Sequence, residues 1–224
     1  MLERFKVPEE DQVRIDHNDL RNTVEAIFLK MGCPTEDAIA GADTLVSTDL
    51  RGVETHGVSN MLRAYVKEFQ SGKLNSKPKV KVLREMPGTV SLDGDRGLGV
   101  ILAPGAMQRA IDKAKTVGIG VCVMQNSGHM GAIGHHAMLA AKQGMVGMTT
   151  TSGGSGKRVF VLPTFAAEPR FGTNPIAIAA PARSQPYLLF DAATSAIAGN
   201  KIGLAERVRS MLEPGWIAKL DGTP

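Results

Sequence analysis

Residues 118–144 read GIGVCVMQNSGHMGAIGHHAMLAAKQG: an apolar run, then glycines and histidines, then an alanine-rich stretch. GIGVCVMQ is short and nearly all apolar, which predicts a strand buried on both faces. The pattern after it predicts a helix over residues 131–143, so NSGHMGAIGHH (126–136) sits where a strand end passes into a helix. A strand feeding a helix through glycines is the unit of an α/β core, and the rest of the chain is read outward from it.

Three histidines crowd this junction, and their spacing argues against a shared metal ion. His135 and His136 are neighbours on one helix and point about 100° apart, whereas a helical ligand pair is separated by four residues. They are expected to face solvent or to cap neighbouring groups. His129 stands alone, flanked by Gly128 and Gly131, which let a ligand approach the backbone, and the positive helix end disfavours its protonation. A neutral imidazole there can accept a proton or hydrogen-bond a substrate oxygen. The bland alternative is a histidine that only caps the helix.

Towards the N-terminus the pattern is helical. Leu20, Val24, Ile27, Phe28 and Met31 recur at helical spacing between a capping Asp16 and Gly32. Thr35 is read as the cap of a second helix with the stripe Ala38, Ile39, Ala42, Leu45 and Val46, and a third runs from near Ser59 to near Gly72. Between them DLRGVETHGVSN (49–60) is a connector. From Lys77 onward the period shortens: KVKVLRE alternates like a strand, TVSLDGDRGLG is a strand entering a turn, and residues 101–117 return to a helix carrying Leu102, Met107, Ile111 and Ala114 on one side. Further strands follow in MVGMTTT, NPIAIAAP and PYLLFD. The expected division is a helical region over 1–76 and an α/β domain over 77–224. The final LEPGWIAKLDGTP closes no element, so the chain reads as a piece of a longer protein.

Composition narrows the function. With 224 residues, 43% hydrophobic and 21% charged, the chain can bury a sizeable core. A net charge of +4 without a basic run, and only 4% aromatic residues, give nucleic acid neither a charged stripe nor a stacking platform. Cys33 and Cys122 form no CxxC, the N-terminus is charged from the start, and no apolar run approaches the roughly 20 residues of a membrane span. A soluble cytoplasmic protein is expected, without membrane or nucleic-acid partners.

Three further stretches carry chemistry. In RGVETHG, His56 follows Arg51 in a glycine-bounded connector, an acid/base group beside a planar cation suited to a carboxylate; an ordinary surface loop would look the same. GDRGLG and SGGSGK match neither GxGxxG nor a P-loop, although the amides of residues 152–156 with Lys157 and Arg158 could form an anion nest. Asp191 ends an apolar run, a place from which a carboxylate orients a histidine, binds a ligand hydroxyl or caps a helix.

Together DLRGVETHGVSN, NSGHMGAIGHHAMLAAKQGMVGM, RFGTNPIAIAAP and LLFDAATS resemble the malate/L-lactate dehydrogenase family of NAD(P)-dependent oxidoreductases, over residues 12 to the end. The resemblance implies a helical region packed on a non-Rossmann NAD(P)-binding domain with a largely antiparallel sheet. It also implies a homodimer and hydride transfer between NAD or NADP and a small 2-hydroxy or 2-oxo acid. His56 matches the family's SHG histidine, with Thr55 in place of the serine, and His129 the histidine of the second motif; both are implied acid/base groups. Phe190 and Asp191 match FDxAT, Thr173, Asn174 and Pro175 match GTNP, and Thr151, Ser152 and Gly153 match a strand end at the cofactor. Where some members carry a carboxylate-binding arginine this chain has Asn60, leaving Arg51 or Arg63 to substitute. Relatives continue well past Pro224 through a cofactor-contacting segment, so the rival reading is a truncated relative that folds or dimerises without turnover.

Overall fold

The computed structural model describes residues 7–152, 160–166, 168–219 and 223. Helix α1 (His17–Lys30) begins where the Asp16 side chain accepts the amides of Asn18 and Asp19, at 2.8 and 3.3 Å. It lies against α2 (Thr35–Leu50), and α3 (Val58–Gln70) crosses both. Val24, Phe28, Ala42, Leu45, Val46 and Tyr65 are at most 1% exposed in their shared core, each large side chain contributing about 1.5–3 kcal/mol by leaving water.

Strands β1 (Lys81–Met86) and β2 (Thr89–Asp93) form an antiparallel hairpin. Helix α4 (Gly99–Val117) then crosses over, and β3 (Val121–Gln125) runs parallel to β2. The first turn of α4 belongs to the helical core: Val100, Ile101 and Leu102 pack with α1–α3. After α5 (Gly134–Ala141) come β4 (Gly147–Thr150), β5 (Ile176–Ala180) and β6 (Leu188–Ala192), a second, wholly antiparallel sheet, and finally α6 (Gly199–Arg207). Ile133, Ala137 and Ala141 press against Ala177 and Ala179, small residues that let helix and sheet approach closely. Among the described residues, five of the strands lie in antiparallel pairs, and only β2 with β3 is parallel. No helix among the described residues is long and apolar enough to cross a membrane.

Several expectations need correction. β3 is an edge strand, with Val121 and Val123 43% and 59% exposed, so its apolar run is not buried on both faces. The alternation in KVKVLRE likewise gives β1 no buried side. Thr35 is the first helical residue and caps nothing; Pro34 occupies the cap. Ile39 is 47% exposed and leaves the stripe, whose place is filled by Gly41 and Thr44. The helix expected from residue 131 starts at Gly134, because Gly131 has a φ of +66°, a left-handed conformation no helix continues through. His136 is 1% exposed and does not face solvent; its Nε2 lies 2.9 Å from the Met130 carbonyl. SGGSGK from Gly153 onward, with Lys157 and Arg158, lies outside the described residues.

Candidate active site

The connector after α2 is shaped by one carboxylate. Asp49 Oδ2 accepts the Val58 amide at 2.8 Å, which starts α3, and Asp49 Oδ1 sits 1.6 Å from where a Cβ on Gly57 would be. The glycine of THG is therefore required by close approach and not by conformation, since its φ is −87°. Partial burial raises the Asp49 carboxyl above the usual carboxylate range, and the Val58 amide opposes that. Between the two ends, a 3-10 turn over Glu54–His56 presents His56, whose Nδ1 is 2.9 Å from the Thr55 hydroxyl. Across the gap, Asn200 on α6 donates to the Thr55 carbonyl at 2.7 Å and fixes the turn from the other side.

His129 reaches the same place from the loop after β3. Its carbonyl accepts the Val100 amide at 3.0 Å, and the loop lies so tightly on the start of α4 that a Cβ at Gly99 would fall 2.4 Å from the Gly128 oxygen. Tyr65 on α3 places its hydroxyl 2.7 Å from His129 Nδ1, and the Gly131 amide donates to the same nitrogen at 3.2 Å. These partners set the tautomer: an Nδ1 that accepts Gly131 leaves the hydrogen of a neutral ring on Nε2. The Tyr65 hydroxyl can donate to that nitrogen or accept from it, so it supports the ring in either protonation state. The helix dipole invoked from sequence is displaced, since α5 begins five residues further on.

The two rings stack, with centroids 5.6 Å apart and planes inclined by 16°. Two imidazolium ions at that distance repel, so the pair carries one extra proton more readily than two. Burial pushes the His56 imidazole below its ordinary value, and the Lys201 ammonium adds to the effect.

His56 lines a cleft of about 460 Å³. Asp191 on β6 forms part of the wall, its Oδ2 accepting the Gly134 amide at 2.7 Å. Desolvation raises its carboxyl, opposed by that amide and by the Arg51 guanidinium. Thr173 and Pro175 line it from the turn before β5, and Arg51 and Lys201 supply its cations. His135 also reaches the wall, with Nδ1 2.7 Å from the Ser47 hydroxyl, and burial lowers its imidazole. Ser47 donates onward to the Asp43 carbonyl at 2.6 Å, so it accepts from His135.

Of the residues singled out from sequence, Arg51, His56, Thr173, Pro175 and Asp191 thus meet around one cleft, with His129 stacked on His56. Others do not join the wall. Arg63 is exposed on α3, Asn60 accepts the Arg207 guanidinium at 2.5 Å, and Phe190 is 54% exposed. Asn174 has its carbonyl taken by the Thr194 hydroxyl at 3.0 Å, and Thr151 and Ser152 follow the end of β4 that bonds Pro175 without lining the cleft themselves. Gly153 lies outside the described residues. Lys201 and His135 were not anticipated; a positive residue in the first turn of a helix after the aspartate strand was the only available signal for Lys201.

Comparison with known proteins shows the family of the chain. The profile described as malate/L-lactate dehydrogenase matches residues 15–224. A malate dehydrogenase of Pyrococcus abyssi is 41% identical over 214 residues, 96% of this chain and 58% of that protein. An L-sulfolactate dehydrogenase of Methanocaldococcus jannaschii is 38% identical, covering 88% of this chain and 56% of its own length. The crystal structure of malate dehydrogenase from Entamoeba histolytica superposes with a TM-score of 0.90 at 32% identity, over 95% of this chain and 58% of that one. The chain spans less than two thirds of the length of these relatives, and it belongs to the malate/L-lactate dehydrogenase family.

Proposed function

We propose that this chain belongs to an NAD- or NADP-dependent oxidoreductase that interconverts a small 2-hydroxy acid and the corresponding 2-oxo acid. The observation that carries the reading is the stacked His56–His129 pair, with His56 lining a cleft that Asp191 also lines. The cleft fits the nicotinamide end of such a cofactor: its volume lies within the usual range for small-molecule sites, about 300–1,000 Å³, and Asp191, Thr173 and Ser195 offer a carboxylate and hydroxyls to sugar hydroxyls.

When bound, the nicotinamide supplies or accepts the hydride. The chain's own residues handle the proton. A neutral imidazole in the histidine pair takes the hydroxyl proton as the hydroxy acid is oxidised and returns it to the oxo acid in reduction. Burial holds His56 neutral and suits it to the first role. Tyr65 fixes the His129 ring, and burial keeps the phenol itself protonated. Asp191 and the Gly134 amide hold the start of α5 against β6, which sets the width of the cleft. A cleft cation holds the substrate carboxylate, the sequence's candidate being Arg51. A homodimer and a cytoplasmic location complete the proposal.

Titration with NADH and NADPH should give a saturable fluorescence change, and NADH oxidation should follow addition of oxaloacetate, sulfopyruvate or pyruvate. No saturable signal refutes the dehydrogenase reading for this chain and favours a relative that folds without turnover. Full activity in both His56→Ala and His129→Ala refutes the proton roles.

A further inference from the structure

A 2-hydroxy acid carries its carboxylate on the atom next to the reacting carbon, so the cation that holds it must sit beside the acid/base group. The candidates named by sequence do not meet that requirement. Arg63 does not line the cleft, and the half-buried Asn60, bonded through its Oδ1 to Arg207, carries no charge and does not line it either. Arg51 lines the cleft, but it is exposed, and its charge acts on Asp191 and His135.

Lys201 meets it. It lies two residues into α6, half-buried, lines the same cleft as His56, and is close enough for its charge to act on that ring. Its position is built, not incidental. The preceding Asn200 donates to the Thr55 carbonyl at 2.7 Å and touches Met61 Sδ at 3.2 Å, which ties the start of α6 to the turn that carries His56. Leu204 and Ala205 bury the next turn of the helix, with Val208, Leu212 and Trp216 packed on them. No carboxylate is ion-paired with Lys201 among the described residues.

We propose that Lys201 is the residue that holds the carboxylate of the 2-hydroxy or 2-oxo acid and sets its reacting carbon against His56, with Arg51 remaining with Asp191. The assignment rests on the function proposed above. An ammonium is a point charge without the fork of a guanidinium, so it grips the acid by charge and leaves orientation to the histidine pair and the bound cofactor.

The test compares the unaltered chain with Lys201→Met, Lys201→Arg and Arg51→Met. Malate binding in the presence of NADH is measured by calorimetry, and KM and kcat for oxaloacetate are measured alongside. Losing one charge-assisted contact should weaken malate binding and raise KM by about 10- to 100-fold in Lys201→Met with a smaller change in kcat. Lys201→Arg should recover most of the loss, which a merely structural lysine at this position would not require, and Arg51→Met should weaken malate binding by a much smaller factor than Lys201→Met does. A large loss in Arg51→Met with none in Lys201→Met overturns the assignment while leaving the dehydrogenase reading intact. If the unaltered chain binds neither NADH nor malate, the function and this assignment fail together.

Discussion

Lowering the pH from about 7 to about 5 should cost this chain roughly 2 kcal/mol through His136 alone. The residue is 1% exposed at the start of α5; its Nε2 donates to the Met130 carbonyl, and its Nδ1 is buried without a partner. Burial brings the imidazole from an ordinary 6.5 down to about 4. In the unfolded chain the ring titrates normally, so between these values the unfolded state holds the extra proton and stability falls as the pH drops. Above 6.5 the contribution is complete. The loss grows to about 3 kcal/mol by pH 4, and His56 and His135, both lowered by burial, add to it in the same direction. Urea unfolding at pH 7, 6 and 5, for the unaltered chain and for His136→Gln, measures the effect. Glutamine can still donate to Met130 and cannot take up the proton, so the variant should lose about 2 kcal/mol less over the interval. Parallel decline of the two chains would refute the argument. NMR titration of the ring checks it without any variant, since His136 should remain neutral at pH 5.

Tyr65→Phe should keep the core filled and remove the hydroxyl that holds His129 at 2.7 Å, lowering kcat about 10-fold without a comparable change in KM; an unchanged kcat would mean that the bond is only structural. Gly57→Ala should destabilise by about 1–3 kcal/mol in thermal unfolding because its Cβ would fall on Asp49, and adding Asp49→Ala should relieve part of that. Asp191→Ala leaves the buried Gly134 amide without its acceptor and should lower the unfolding free energy by about 1–3 kcal/mol, and it should also weaken NADH binding about 10-fold by fluorescence titration.

The helices were legible because the apolar residues of α1–α3 recur at a 3.6-residue period, whereas α4 hides that period in its first turn, where residues 99–103 are all buried. The strands were legible as elements but not as surfaces. The apolar run of β3 looks like a central strand, yet whether an apolar residue is covered depends on what lies beside it, and β3 has a hydrogen-bonded neighbour on one side only. His56, His129 and Asp191 stood out because each sits in a short motif with glycines or at a strand end. Tyr65 and Lys201 did not, and His135, though named with the other histidines, gave no sign in sequence that it would meet Ser47 and reach the cleft. Tyr65 is 64 residues from its partner His129, and Lys201 reaches the cleft through the docking of α6 by Asn200, which is 145 residues from Thr55. Contacts of that separation are set by packing and leave no local pattern.

Helix α3 carries Tyr65, which grips His129, and follows directly on the turn that carries His56. The two rings nevertheless have different mounts: the His56 turn is tied to α6 through Asn200, whereas the His129 backbone is clamped on the start of α4. The Tyr65 hydroxyl reaches from α3 to the His129 ring, so a slide of α3 against α4 alters how the two imidazoles face each other. The packing of two helices is thereby written into the spacing of the ring pair.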